Sequence, residues 1–168
     1  GRNVAMPWLD EFIDAHPKVE LRIHSSDSNI DFYRDSVDMA LRYGKPDDAN
    51  LYGFKICNVP SLLCATQEYL DKNGIPEHPI DLQSHNGLFY QLHDMIHSTW
   101  IFSNSTKTYD QNKKQDKVEY KIKMNGNRAS NDGDLVRRWC VAGKGLAIKS
   151  CLDMSADLLS ANVIRVMP

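Results

Sequence analysis

Alternating hydrophobic and polar positions predict a strand–helix–strand unit over residues 19–44. In residues 19–23, valine, leucine and isoleucine alternate with charged residues, which predicts a strand with one buried face. The polar residues 25–28 then supply a turn and a helix cap, and residues 29–34 have room for about two helical turns. The apolar run at residues 37–41 predicts a second strand. Such units build parallel sheets, with ligand crevices at the carboxyl ends of the strands.

Helical spacing predicts an amphipathic helix over residues 3–16. Leu9, Phe12 and Ile13 share one face, and Pro17 ends the helix because the residue before a proline is pushed out of helical geometry. Pro7 fits this helix only if it lies in the first turn.

The rest of the chain is predicted to alternate between short strands and helices. The strands are expected at residues 53–57, 61–65, 87–90, 100–102, 106–109, 118–124, 146–148 and 163–167. Helices are expected at residues 67–72, capped by Thr66 and stopped by Gly74, from 130–132 to Gly143, and at 152–159, with one turn at 79–82. Residues 118–124 alternate strictly, so one face of that strand is expected to face water.

Composition and charge place the chain among globular proteins without a nucleic-acid signal. Its 168 residues are 42% hydrophobic and 25% charged, enough for one ordinary core or two small ones, and its net charge is −2. Residues 104–128 carry seven basic against three acidic residues, and a solvated hairpin explains this better than a binding patch. The sequence has no run of about eighteen apolar residues. We therefore expect no transmembrane helix and no binding to a membrane.

The cysteines indicate reduced, buried thiols. Cys57, Cys64, Cys140 and Cys151 form no C-x-x-C pair and each stands in an apolar context, which favours a cytoplasmic protein over a disulfide set or a metal cluster. No histidine spacing supports a cysteine nucleophile. The sequence also has no glycine-rich phosphate loop and no other catalytic constellation, so we predict no enzyme activity and no cofactor.

Two histidines have the spacing of a zinc motif without its other parts. His93 and His97 stand at i and i+4, but Asp94 occupies the place of the glutamate base of zinc proteases, and no third ligand is evident. We interpret them as solvated loop residues and expect no metal. An enzyme with these two ligands is the least favoured hypothesis.

Two helix starts suit an anion. Residues 25–28 and 130–132 each open a helix, where unpaired N–H groups favour carboxylates or phosphates, although each is also an ordinary cap. Asp132 and Asp134 would repel an anion at the second start. Arg42, at the end of a predicted strand, either offsets that charge by binding a carboxylate or pairs with a neighbouring aspartate.

Six segments in order resemble the effector-binding domain of LysR-type transcriptional regulators, over essentially the whole chain. They are residues 1–12 with PWLDEF, HPKVEL at 16–21, DSVDMALRYG at 35–44, the stretch from LCATQEYL at 63–70 to His85, SNDGD at 130–134 and AGKGLA at 142–147. Residues 35–44 are the most specific segment, with Ser36 near the place of a usual glycine.

The resemblance implies a periplasmic-binding-protein-like α/β fold with two lobes and a cleft between them. Residues 1–56 would form lobe one, incomplete because its first strand should come earlier, and residues 57–168 would form lobe two. A winged helix-turn-helix domain and a linker helix would precede the chain, and a returning strand and a last helix would follow it. DNA would be bound only through that N-terminal domain.

The same resemblance implies that a small-molecule effector in the cleft shifts a homodimer or tetramer between DNA-bending states. The effector-binding residues it places by position are Ser25, Ser26, Arg42 and Gly44 in lobe one, and Tyr90, Gln91, Asn131 and Asp132 in lobe two. The helix starts favour a carboxylate effector. Large apolar residues on the first helix, Trp8, Leu9 and Phe12, predict self-association. A transport solute-binding protein of the same fold is the alternative.

Overall fold

A computed structural model describes residues 2–25, 35–44, 51–92, 94–103 and 118–167. The chain divides into two units, one of residues 5–59 and one of residues 60–168 together with the first four residues. The predicted boundary between lobes, after residue 56, stays a prediction.

The first helix is confirmed, with a difference at its proline. Helix α1 spans Arg2–Ala15, and the His16 backbone N–H donates to the Ile13 carbonyl just after its end. Pro7 lies inside the helix, so its predicted place in the first turn is wrong. A proline there removes one backbone donor, a loss that this helix tolerates. Trp8 and Phe12 remain 56% and 48% exposed.

The strands predicted in the unit of residues 5–59 are absent. Residues 19–23, 37–41 and 53–57 form no strand. The alternating pattern creates an apolar face, but a strand also needs a neighbour to pair its N–H and C=O groups, and none of the described residues provides one here. Met39 and Phe54 are accordingly 85% and 92% exposed. The helix predicted at 29–34 lies outside the described residues.

The unit of residues 60–168 alternates strands and helices, mostly as predicted. Its elements are β1 Ser61–Ala65, α2 Gln67–Asn73, a 3₁₀ helix Pro79–Ser84, β2 Asn86–Leu92, β3 Met95–Ile96, β4 Thr99–Ser103, β5 Glu119–Lys123, β6 Asn125–Ser130, α3 Gly133–Val141, β7 Ala147–Ser150, α4 Ser155–Leu159 and β8 Ile164–Arg165. β3 and β6 were not predicted, and the strand predicted at 106–109 lies outside the described residues.

The described strands form three small sheets. β1 lies between β7 and β8 and is antiparallel to both. β2 lies between β3, to which it is antiparallel, and β6, to which it is parallel. β4 and β5 form an antiparallel pair.

Two groups of buried side chains hold these sheets together. One group packs under α2 and the 3₁₀ helix and includes Leu70, Leu82, Phe89, Trp100, Ile122 and Leu146. The other packs between β1, α3 and α4 and includes Cys64, Leu88, Val136, Cys140, Met154 and Val163. The wet face of β5 is confirmed, because Ile122 is 4% exposed while Lys121 and Lys123 are exposed.

Local signals set the ends of α2 as predicted. The Thr66 hydroxyl accepts the Tyr69 N–H at 3.1 Å, which satisfies one of the unpaired donors of the first turn. Gly74 ends the helix with a φ of +89°, a conformation that side-chain-bearing residues rarely adopt.

A buried histidine connects the end of the 3₁₀ helix to β2. The His85 ring is within hydrogen-bond distance of the Tyr69 hydroxyl, at 3.3 Å, and the Asn86 N–H donates to the same hydroxyl at 3.0 Å. His85 is only 5% exposed. Burial lowers the pKa of His85, and the nearby Asp81 carboxylate only partly opposes this.

We predict that Leu82→Ala destabilises the protein by about 2–5 kcal/mol, because Leu82 is fully buried and its truncation leaves a cavity. Ile80→Ala is the matched control, since Ile80 lies in the same 3₁₀ helix and is 53% exposed. Urea unfolding measures both variants, and equal losses of stability would contradict this description of the core.

We predict that the protein loses stability as the pH falls below about 6.5, the ordinary pKa of histidine. Because the pKa of folded His85 is lowered, the unfolded chain binds the proton more readily, so acid favours unfolding through the folded pKa. His85→Gln should reduce the difference in unfolding free energy between pH 7.5 and pH 5.5. An unchanged difference would show that His85 does not contribute to it.

Candidate ligand-binding site

The pairing of β2 with β6 brings together residues that are far apart in sequence. The strands are parallel, with Tyr90 opposite Ser130 at their carboxyl ends. Glycines permit this close approach: a Cβ on Gly126 would collide with the Gly87 carbonyl oxygen and the Phe89 ring. Polar residues that follow the two strands therefore meet at one edge of the sheet.

The four residues predicted for lobe two lie at this edge. Tyr90 and Gln91 are half-buried in the last part of β2, and Asn131 and Asp132 are exposed directly after β6. The structure thus brings these four together, and their binding of a ligand stays a prediction. We call this group of residues the β2–β6 edge.

Helix α3 begins at the β2–β6 edge with a well-formed cap. The Asp132 carboxylate accepts the Asp134 N–H at 2.9 Å and the Leu135 N–H at 3.4 Å. The Ser130 hydroxyl accepts the Asp132 N–H at 3.0 Å. These contacts pair donors that the first helical turn otherwise leaves open, as the sequence predicted.

Arginines on α3 offset the acidic charge at its start. Asp134 forms ion pairs with Arg138 at 2.8 Å and with Arg137 at 3.4 Å. Arg137 also donates to Asp157 at 2.7 Å, and the Asp157 side chain is only 5% exposed. The expected repulsion of an anion by Asp134 is therefore reduced by partners on its own helix.

The residues predicted for lobe one lie in the unit of residues 5–59. Ser25 and Arg42 are exposed, and Gly44 has a φ of +82°. Ser26 lies outside the described residues. The roles of these four residues stay predictions.

A short hairpin next to Tyr90 was not recognised in the sequence. β3 pairs with the end of β2, and the His97 backbone N–H donates to the Tyr90 carbonyl at 3.0 Å. The two rings stack, with centroids 6.3 Å apart and planes inclined by 18°. An open depression of about 550 Å³ here is lined by Leu92, Asp94, Met95 and His97. β3 has only two residues, which is too few to show a periodic pattern. This hairpin therefore could not be predicted from the sequence.

Of the two histidines interpreted as solvated loop residues, the structure describes only one. His97 is exposed and stacks on Tyr90, and His93 lies outside the described residues. Among the described residues, no group of three or more possible ligands could hold a metal ion.

The cysteine prediction is correct for two thiols and wrong for one. Cys64 and Cys140 are fully buried, and the Cys140 thiol donates to the Cys64 carbonyl at 3.4 Å. Burial raises the pKa of Cys64 to about 11 and that of Cys140 to about 12. Cys151 is half-buried, whereas Cys57 is exposed because the strand expected to bury it does not form.

Comparison with known proteins defines the class. The family model described as the LysR substrate binding domain matches residues 1–168, and the chain belongs to this family.

Relatives and solved structures agree with this assignment. The chain is 30% identical over 168 residues to the HTH-type transcriptional regulator DmlR of Escherichia coli K12, covering 100% of this chain and 51% of DmlR. It is 27% identical to the HTH-type transcriptional activator TtdR of the same strain, with the same coverage. The chain thus spans about half the length of these relatives. Both relatives are named as transcription regulators and not as transport proteins.

Solved structures share the fold. CrgA of Neisseria meningitidis, a LysR-type transcriptional regulator, matches with a TM-score of 0.78 and 23% identity, over 98% of this chain and 51% of CrgA. AphB of Vibrio cholerae, a virulence activator, matches with 0.80 and 20%, over 96% of this chain and 51% of AphB. The predicted periplasmic-binding-protein-like α/β fold is confirmed.

Within the described residues, every helix is too short or too polar to span a membrane.

We predict that iodoacetamide at pH 7.5 modifies Cys57 in the folded protein and leaves Cys64 and Cys140 unmodified. Alkylation requires the thiolate, and burial both raises the pKa of the latter two thiols and blocks access. Peptide mass spectrometry reads the sites, with urea-unfolded protein as the control in which all cysteines react. Rapid labelling of Cys140 in folded protein would contradict the buried placement and reopen a nucleophile role.

Proposed function

We propose that this chain is the effector-sensing part of a DNA-binding transcription regulator and that it has no catalytic activity. Membership of the LysR substrate binding domain family supports this, as do relatives that are named as transcriptional regulators. The observation that carries the proposal is the β2–β6 edge, where a parallel pair of strands presents polar groups beside the start of a nine-residue helix. Open α/β sheets bind ligands at such edges.

The proposed effector is a small carboxylate. The partial positive charge at the start of α3 favours an anion nearby, and Arg137 and Arg138 offset the charge of Asp134. Asp132 already accepts the Asp134 and Leu135 N–H groups, so the ligand carboxylate is proposed to bind the polar side chains beside them. Tyr90, Gln91 and Asn131 supply the hydroxyl and amide groups that orient a ligand in such sites. Arg42, placed by resemblance to the family, is proposed to bind a carboxylate as well.

DNA binding, assembly and location belong to the same proposal. The curated relatives are about twice as long as this chain, so DNA contact is assigned to a domain outside it. The exposed Trp8 and Phe12 on α1 are proposed to pack in a homodimer or tetramer, since such apolar side chains often mark interfaces. Because the DNA of a bacterium lies in its cytoplasm, we propose the cytoplasm as the location of this regulator.

A thermal-shift screen tests the proposal. We expect at least one compound from a panel of small carboxylates, aromatic acids and amino acids to raise the melting temperature of the intact protein, because a ligand that binds only the folded state stabilises it. For that compound, Gln91→Ala and Asn131→Ala should each weaken binding by about tenfold, the cost of one lost hydrogen bond to a charged group.

Gln67→Ala is the matched control, since Gln67 is exposed on α2 and pairs with Asp71. It should bind like the unmodified protein. If no compound stabilises the protein, or if the Gln91 and Asn131 variants bind with unchanged affinity, sensing at the β2–β6 edge is wrong.

A further inference from the structure

A lysine with a largely buried side chain contacts the first residue of the helix that begins at the β2–β6 edge. Lys149 is in β7, and its side chain is only 9% exposed. Its ammonium group donates to the Gly133 carbonyl oxygen at 2.9 Å and lies 3.1 Å from an Asp153 carboxylate oxygen. A buried ammonium is costly unless it is paired and hydrogen-bonded, and these two contacts meet that requirement.

The contact with Gly133 acts on the cap of α3 through a single peptide group. Gly133 is the first residue of α3, and its carbonyl belongs to the same planar peptide as the Asp134 N–H. In a trans peptide these two groups point in opposite directions. The carbonyl accepts from Lys149, and the N–H donates to Asp132 at 2.9 Å. Lys149 therefore orients the donor that holds the Asp132 carboxylate.

Gly133 provides the space that this contact needs. A Cβ at this position would lie 3.2 Å from the Lys149 ammonium nitrogen, closer than an ordinary contact. Asp153 completes the arrangement, because its own N–H donates to Ser150, the residue after Lys149. The start of α3, the end of β7 and the segment before α4 are thus joined at one point.

We propose that Lys149 is a positioning residue of the effector site: it fixes the first peptide of α3 and thereby holds Asn131 and Asp132 in the geometry that meets a ligand. This inference rests on the proposed function, because the role of the β2–β6 edge is proposed there. It assigns the preorganisation of that edge to a residue that would not itself touch the ligand.

Amide hydrogen exchange of the intact protein without ligand tests this proposal. Lys149→Met should accelerate exchange of the Asp134 and Leu135 amides by about tenfold, the expected effect of losing one charge-assisted hydrogen bond. Amides of β4 and β5 should change much less. Lys149→Arg keeps the charge and the donors, and it should restore slow exchange at both positions.

Lys123→Met is the matched control, because it removes the same charge from an exposed position on β5. It should leave both amides unchanged. Unchanged exchange in Lys149→Met, or an equal acceleration throughout the protein, would overturn the proposal, since the latter means that Lys149 acts only through overall stability.

A second variant covers the case in which Lys149→Met does not fold. Asp153→Asn weakens the hold on the ammonium group and should accelerate the same two amides to a smaller extent. No acceleration at those amides would overturn the proposal. Hydrogen exchange is measured without an effector. A ligand screen that finds no compound would therefore count against the proposed function, while the exchange result would still test the role of Lys149.

Discussion

The parallel pairing of β2 with β6 is the constraint on which the candidate site depends. The two strands are about forty residues apart in sequence, and their register places Tyr90 opposite Ser130. This register alone decides that the turn leading into α3 lies beside the last residues of β2. A shift by one residue would turn every following side chain to the other face of the sheet. Gly87 and Gly126 permit this register, because larger residues would collide with the backbone or with Phe89.

The core beneath this pair holds α3 in place from several sides. Val136 and Cys140 on α3 pack in the same buried group as Cys64, Met154 and Val163. Ionic contacts add direction to this packing, since Arg137 reaches the nearly buried Asp157 on α4. Apolar packing tolerates small rotations, whereas a paired and desolvated charge has few alternative positions. The start of α3 is therefore held in a fixed orientation relative to this core.

Features that depend on residues close together in the sequence are predicted correctly. The caps at Thr66 and Asp132 depend on side chains that bind backbone N–H groups two or three residues further on, and the stop at Gly74 depends on the positive φ of that residue. The alternation of buried and exposed residues around Ile122 is also a local signal, because it depends only on which face of β5 is buried. The four residues predicted for lobe two were placed by resemblance to a family; the pairing of β2 with β6 brings them to one edge of the sheet, and their binding of a ligand stays a prediction.

Features that depend on a pairing or packing partner elsewhere in the chain are not predicted correctly. Residues 19–23 have a strand pattern, yet no described residue pairs with them. β6 is a strand despite its polar sequence NGNRAS, because β2 supplies its hydrogen bonds. Cys57 is exposed for the converse reason, because the strand expected at residues 53–57 does not form and its neighbour Ile56 is 72% exposed. The contact of Lys149 with Gly133 joins residues sixteen apart and leaves no trace in any local pattern.

The most direct test of the account is amide chemical-shift mapping by NMR. The intact protein would be titrated with a compound that stabilises it. We predict that the largest shifts occur at Tyr90, Gln91, Asn131 and Asp132. Shifts confined to another surface, such as the groove of about 320 Å³ lined by Leu70, Ile75 and Val166, would contradict it.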